Sequence, residues 1–245
     1  MRHLLRILLL LIVVGGALGG CVPPLDHSAY RAYLAHMPKS ILVLPPVNFS
    51  ANVHASDAFL STVTMPLAES GYYVYPVAVV DRLFKDNGVA APGDMQSIPL
   101  PKIAEVIGPD AVMYINIKEW TTTNIVLDST TRVTLEYKLV DTKSGDLLWR
   151  RAETYAESSS QSVGGGGGVG SLIAMVVVAQ IHSVAAAASD GAFEREAAAR
   201  ANLAAFYDQN FGLLKGSRSP DFAKDQQRMH EVLAKEQAAK NPDKP

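Results

Sequence analysis

The sequence predicts a mixed α/β (α+β) fold, a three-layer-like mixed sheet with helices, followed by a glycine linker and C-terminal helices. Two observations predict it. Strand-like and helix-like apolar patterns alternate over the first part of the chain, and strand patterns alone follow over 111–155. Five consecutive glycines at 164–168 then interrupt the pattern. We therefore expect the mixed α/β domain to span residues 40–157.

The first half of this domain should alternate strand and helix. Residues 41–47 form an apolar run typical of a strand buried on both faces. Phe59, Val63 and Leu67 recur every fourth residue, which predicts a helix that kinks or restarts at Pro66. A strand at 72–75, a helix around 80–86 and a short helix at 101–108 complete this half.

The second half should be a set of antiparallel strands at 111–120, 124–127, 131–141 and 147–155. Between 131 and 141 apolar and polar residues alternate strictly, which is typical of a sheet with one solvated face. Gly145 can supply the positive φ that a hairpin turn over 142–146 needs.

The remaining chain divides by composition into three parts. Residues 158–171 are rich in glycine and serine and predict a flexible linker. Residues 172–212 hold a segment that is apolar nearly all round, at 172–188, and an alanine-rich helix that stops near Gly212. Residues 213–245 are predicted to be a polar tail, either helical or disordered.

The N terminus has the pattern of a bacterial lipoprotein signal. A basic start and an apolar run precede Leu18, Gly19, Gly20 and Cys21, so residues 1–20 are predicted to be a signal peptide. The thiol of Cys21 would then carry a diacylglycerol group through a thioether, and its freed amine would be acylated by palmitate. The alternative is a buried small cysteine or a short N-terminal anchor. Residues 21–39 contain three prolines and predict a lipidated tether that reaches at most about 60 Å.

Charge, cysteine content and the residue after Cys21 limit the classes of partner and the location that are expected. The net charge is −2, and loss of residues 1–20 makes it more negative, so nucleic acid is not expected. The single cysteine excludes an internal disulfide. Val22 follows Cys21 where aspartate would favour retention in the inner membrane, so we expect an outer-membrane location, on its periplasmic face or at the cell surface.

No constellation of residues predicts an enzyme, a metal site or a cofactor. Glycines 165–170 match a dinucleotide-binding pattern, but any glycine run does so by composition. Lys143, Ser144 and Gly145 resemble an element of penicillin-recognising enzymes, yet the chain lacks the S-x-x-K motif that would carry the nucleophile. The histidines are dispersed, with no spacing typical of metal ligands.

Several stretches together resemble a known bacterial family: the lipobox at Cys21, SILVLPPVN at 40–48, LSTVTMPLAESGYYVYPVAVV at 60–80 and LVDTKSGDLLW at 139–149. This is the family of lipoproteins typified by the neisserial genome-derived lipoprotein antigen, whose function is unassigned. The resemblance covers about 21–210. It implies a fold like the TolB N-terminal domain and the CsgG-like lipoproteins, an accessory role in the envelope with a curli-secretion-like partner, and no catalytic residue.

Three functions remain open at this point. The first is a non-enzymatic envelope adaptor, the second a structural subunit of a secretion channel, and the third an envelope small-ligand binder or hydrolase. The apolar segment at 172–188 must be buried, either against its own domain, in a membrane, or in trans against an envelope protein or a second copy. We hypothesise the contact in trans, through the large side chains Met175, Val176, Val178 and Ile181.

Overall fold

The computed structural model describes residues 27–125, 128–158 and 191–240. In chain order these residues form α1 (Ser28–His36), β1 (Ser40–Val43), β2 (Val47–Asn48), α2 (Ala55–Glu69), β3 (Tyr73–Val74), α3 (Val77–Asp86), α4 (Pro92–Gln96), α5 (Leu100–Val106), β4 (Ala111–Ile125), β5 (Asp128–Asp141), β6 (Leu147–Ser158), α6 (Ala192–Tyr207) and α7 (Phe222–Lys240).

The six strands form one mixed sheet in the order β3-β1-β4-β5-β6, with β2 also paired to β4. Helical crossovers make β1 parallel to both β3 and β4. Strand β5 pairs antiparallel with both of its neighbours, β4 and β6. The mixed α/β class predicted from the sequence is confirmed.

Helices cover the sheet on both faces, which produces the predicted layers. The larger core joins one face of the sheet to α1, α2, α6 and α7, and it contains Phe59, Val63 and Leu67. The smaller core packs α3, α4 and α5 against the other face. Strand β1 lies between the two cores, with Val43 in the larger and Leu42 in the smaller. It is buried on both faces, as its continuous apolar run predicts.

Three local predictions differ from the structure. The strand expected at 111–120 and the beginning of the one expected at 124–127 are the single strand β4, which ends at Ile125; residues 126–127 lie outside the described residues. The threonines of β4 are β-branched and pair with β5 beyond a bulge between Ile117 and Glu119. Pro66 does not interrupt α2, because it lies close to the end of the helix and removes only one internal hydrogen bond. Helix α4 was not predicted; it is a five-residue turn that begins at Pro92.

The tether predicted for 21–39 is wrong from residue 27 onward. Residues Tyr30, Tyr33 and Leu34 lie on one face of α1, at a spacing of three and four residues, and all three are buried in the larger core. Helix α1 then ends at Met37 in a left-handed conformation with a φ of 43°. Five residues, 22–26, separate Cys21 from His27, whereas the predicted tether had eighteen residues after Cys21; the Cα atoms of Cys21 and His27 are therefore at most about 20 Å apart.

The predicted domain end near residue 157 is also wrong. Four alanines of α6 are buried in the larger core, where their small side chains let the helix approach the sheet closely: Ala197, Ala198, Ala201 and Ala205. Leu214, from the predicted polar tail, is fully buried, and Met229 on α7 is too. Residues 191–240 therefore belong to the same domain as 27–158. The predicted linker and apolar segment, at 159–190, lie outside the described residues.

Candidate functional site

At one end of the sheet lies His27, the first residue that the structure describes. The ring of His27 stacks on Phe211 with centroids 4.5 Å apart, and its Nε2 lies 3.1 Å from the carbonyl oxygen of Asn210. His27 also contacts Glu236 of α7 through Nδ1. Trp149 on β6 donates a hydrogen bond from Nε1 to the Phe211 carbonyl, at 2.9 Å. We call this end, defined by His27, Trp149 and Phe211, the anchor end, because His27 lies six residues after Cys21.

The opposite end of the sheet holds both boundaries of residues 159–190. Ser158, the last residue of β6, pairs with Thr130. Glu194, in the first turn of α6, accepts a hydrogen bond of 2.8 Å from the hydroxyl of Thr122. Thr122 in turn lies 2.9 Å from the hydroxyl of Thr131, on the strand that pairs with β6. The described residues on either side of 159–190 therefore meet at one place, which we call the insertion end.

The two ends are far apart. Ser158 is the ninth residue after Trp149 on β6, which corresponds to about 30 Å along the strand. A lipid attached near the anchor end and a contact made by residues 159–190 would thus act at opposite ends of one rigid sheet. A function that needs both the lipid and a contact made by residues 159–190 would depend on this separation.

The face of β4–β6 opposite the larger core carries polar and charged side chains. Lys118 forms an ion pair of 3.1 Å with Glu136 and lies 4.6 Å from the ring centroid of Phe49. Lys138 lies 5.4 Å from the ring centroid of Tyr114. Arg150 on β6 is directly opposite Lys138 in the strand register. This outer face forms a wide, open depression of about 1150 Å³ rather than an enclosed cleft.

The titratable groups with the largest perturbations are buried tyrosines, and each has a structural partner. Burial raises the pKa of Tyr33, Tyr72 and Tyr137. The hydroxyls of Tyr33 and Tyr72 contact one another, and Tyr72 donates to the carbonyl of Leu214. Tyr137 donates to Oδ1 of Asn202, at 2.7 Å. These hydrogen bonds connect the sheet and α2–β3 loop to the C-terminal part of the domain, and burial in that packed region is the main cause of the raised pKa values.

The motif of Lys143, Ser144 and Gly145 is a turn, as its hairpin position predicts. The carboxylate of Asp141 accepts hydrogen bonds from the backbone of Lys143, at 3.0 Å, and from the backbone and hydroxyl of Ser144. Gly145 has a φ of +79°. Backbone geometry therefore explains all three residues. Among the described residues there is no group of histidine, cysteine or carboxylate side chains that could hold a metal ion.

The predicted lipidation site, Cys21, lies outside the described residues. So do the predicted interaction residues, Met175, Val176, Val178 and Ile181. Conversely, sequence patterns did not single out Lys138 or Arg150. Alternation shows that Lys138 points away from the core, but only the strand register places it opposite Arg150.

Comparison with known proteins agrees with the resemblance seen in the sequence. Residues 26–218 match the family described as "Putative lipoprotein GNA1162-like". A curated protein of Neisseria meningitidis serogroup B, "Putative lipoprotein NMB1124/NMB1162", is 34% identical over 206 residues, which are 82% of this chain and 91% of the relative. The chain belongs to this family. Membership indicates a lipoprotein anchored to a membrane of the cell envelope, and the family's description names no catalytic activity. All of α7, Phe222–Lys240, lies beyond the residues that the family model matches.

Two solved structures are also similar to the chain. The crystal structure of the lipoprotein GNA1162 from Neisseria meningitidis has 37% identity and a TM-score of 0.48, and the match covers 60% of this chain and 99% of that one. A PelC dodecamer from Paraburkholderia phytofirmans has 16% identity and a TM-score of 0.35, over 60% of this chain and 88% of that one. In the described parts of this lipoprotein, no helix is both long and apolar enough to cross a membrane.

Proposed function

We propose that this lipoprotein is a non-enzymatic adaptor of the outer membrane, attached by lipid on Cys21, that docks another envelope protein. The observation that carries the proposal is the short distance between the lipobox and the fold. Cys21 precedes His27 by six residues, and His27 is packed against Phe211 and Asn210. At about 20 Å of reach, the domain cannot leave the membrane surface.

Two or more acyl chains provide this attachment with the required stability. Each buried methylene contributes about 0.8 kcal/mol, so a single chain anchors a protein only marginally while two or three anchor it durably. The Cys21 thiol is the only one in the chain that could carry the diacylglycerol. Val22 after Cys21 supports transfer to the outer membrane.

Replacement of Cys21 by alanine is expected to abolish lipid attachment. In cells grown with labelled palmitate, the wild-type chain should take up label and fractionate with the outer membrane, because the acylated cysteine is the attachment point. The Cys21→Ala variant should take up none and accumulate as the unprocessed precursor. A Ser28→Ala variant, changed at an exposed residue outside the lipobox, serves as the control. Equal labelling of the Cys21→Ala chain would contradict the proposal.

Docking is proposed to occur at the insertion end, about 30 Å from the anchor. Ser158 and Glu194 lie on either side of residues 159–190 and both stand at the insertion end, which is therefore where a contact made by the apolar segment 172–188 would be connected to the sheet. Burial of side chains such as Val178 and Ile181 would contribute about 1.5 to 3 kcal/mol each. A curli-secretion-like envelope protein is the partner class that the family resemblance implies.

The double substitution Val178→Asp with Ile181→Asp is expected to remove crosslinked adducts of higher mass in intact envelopes, because a buried carboxylate without a partner is strongly unfavourable. The matched control is Val53→Asp with Met65→Asp, two positions that are 81% and 69% exposed in the domain. If the adducts persist in the first variant, the docking surface is elsewhere. If they are lost equally in the control, the effect is not specific to the segment.

A structural subunit of a secretion channel is the second candidate, and the same geometry supports it. An insertion with adjacent ends can pack against a second copy of the chain as readily as against another protein. The mass of the crosslinked adduct separates the two functions: a multiple of the chain's own mass indicates self-assembly, and any other mass indicates a different envelope protein.

A further inference from the structure

Two exposed cations face each other on the outer face of the sheet. Lys138 on β5 and Arg150 on β6 are register partners, and we call them the basic pair. Like charges directly opposite on neighbouring strands destabilise a sheet unless something neutralises them. Within the described part of the chain, neither side chain forms an ion pair; Glu136, on the same face, pairs with Lys118. The geometry thus favours an anion supplied from outside the domain.

The basic pair lies at the anchor end. Arg150 lines a depression of about 280 Å³ together with Ser28, Tyr30 and Phe211. Ser28 is the seventh residue after Cys21, and Phe211 stacks on His27. Lys138 and Arg150 also share the larger depression with the aromatic ring of Tyr114. The pair is therefore beside the point where the chain leaves the fold toward its lipid.

We propose that the basic pair binds the phosphate groups of anionic lipids in the membrane that holds Cys21. This inference rests on the lipid anchor of the proposed function, because the six-residue connection keeps the pair within reach of the headgroups. An electrostatic contact between a basic side chain and a membrane acts within a Debye length, about 8 Å at physiological ionic strength. The contact would orient the domain, with its insertion end directed away from the lipid surface.

The test measures vesicle binding without the covalent anchor. The chain from residue 21 onward, carrying Cys21→Ser, is mixed with phosphatidylcholine vesicles and with vesicles that also contain phosphatidylglycerol. Binding to pure phosphatidylcholine reports any apolar contribution, and the increase caused by phosphatidylglycerol reports the electrostatic one. Each basic side chain near an anionic surface contributes about fivefold, so Lys138→Gln with Arg150→Gln should weaken the increase about twenty-five-fold.

The matched control removes two positive charges elsewhere. Arg132 and Arg200 lie toward the insertion end and on α6, respectively, and each has a glutamate partner. Arg132→Gln with Arg200→Gln should leave the phosphatidylglycerol-dependent increase within about twofold of wild type. Lys138→Arg with Arg150→Lys should keep it, and circular dichroism verifies that each variant is folded.

Three outcomes would overturn the inference. In the first, the Lys138→Gln, Arg150→Gln chain binds phosphatidylglycerol vesicles as wild type does. In the second, the control pair loses as much binding, which would make net charge the cause. In the third, inorganic phosphate alone binds tightly at the pair, which would assign it to a soluble anion. None of these outcomes affects palmitate labelling of Cys21 or crosslinking through 172–188, so failure of the proposed function is measured separately.

Discussion

Replacement of Trp149 by alanine is expected to lower the free energy of unfolding by about 3 to 5 kcal/mol. Trp149 is only 1% exposed, and its ring lies 5.8 Å from that of Tyr137 and 5.7 Å from that of Phe206, measured between centroids. Its Nε1 also donates to the Phe211 carbonyl. The substitution therefore opens a cavity between β5, β6 and α6 and leaves a carbonyl at the anchor end without its partner.

Urea unfolding followed by far-ultraviolet circular dichroism measures this loss. Trp149→Phe separates the two contributions, because it retains most of the packing and removes only the hydrogen bond, at an expected loss of about 1 to 2 kcal/mol. Phe49→Ala is the control for deletion of an aromatic ring, since Phe49 is 60% exposed and should change stability by about 0.5 kcal/mol. A loss below about 1 kcal/mol for Trp149→Ala would show that the aromatic cluster is not packed as described.

Replacement of Gly71 by alanine is expected to destabilise the domain by about 2 to 5 kcal/mol. Gly71 follows α2 with a φ of +93°, and a Cβ there would lie 2.7 Å from the carbonyl oxygen of Gly216 and also collide with the backbone nitrogen of Ser219. Both contacts are with backbone, which cannot rotate away. The hydrogen bond of 2.8 Å from the Gly216 nitrogen to the Ser70 oxygen would be strained as well.

Gly88→Ala is a matched control for this effect. Gly88 has a φ of +81°, close to that of Gly71, but no atom lies within 4 Å of the position of an added Cβ. It should therefore show only the cost of the left-handed conformation, about 1 to 2 kcal/mol. The difference between the two variants in urea unfolding isolates the contact between Gly71 and the segment before α7. Equal losses in both variants would mean that this segment is not held against α2.

Local sequence patterns were sufficient for the elements that are stabilised by their neighbours along the chain. The hairpin at Gly145 was predicted because its positive φ and the capping by Asp141 are properties of a few consecutive residues. Strand β1 was predicted because a short, continuous apolar run is typical of a strand that is buried on both faces. Helix α1 was missed because the prolines on either side of it and its mixed polar residues resemble a linker, and the burial of Tyr33 depends on Tyr72 and Leu214 far along the chain.

The candidate sites also differ in whether the sequence alone reveals them. A lipobox is read by a peptidase as a linear string, so Cys21 can be recognised without a fold. The basic pair and the distance between the anchor and insertion ends cannot, because strand register brings Lys138 beside Arg150 and helix packing brings Glu194 to Thr122. Sequence alone was therefore enough for the fold class and the family resemblance, and it suffices to predict lipidation at Cys21. Domain limits and the placement of surfaces follow from contacts between residues that are distant in the sequence. Burying apolar surface lowers the free energy of the fold whichever segment of the chain covers the sheet.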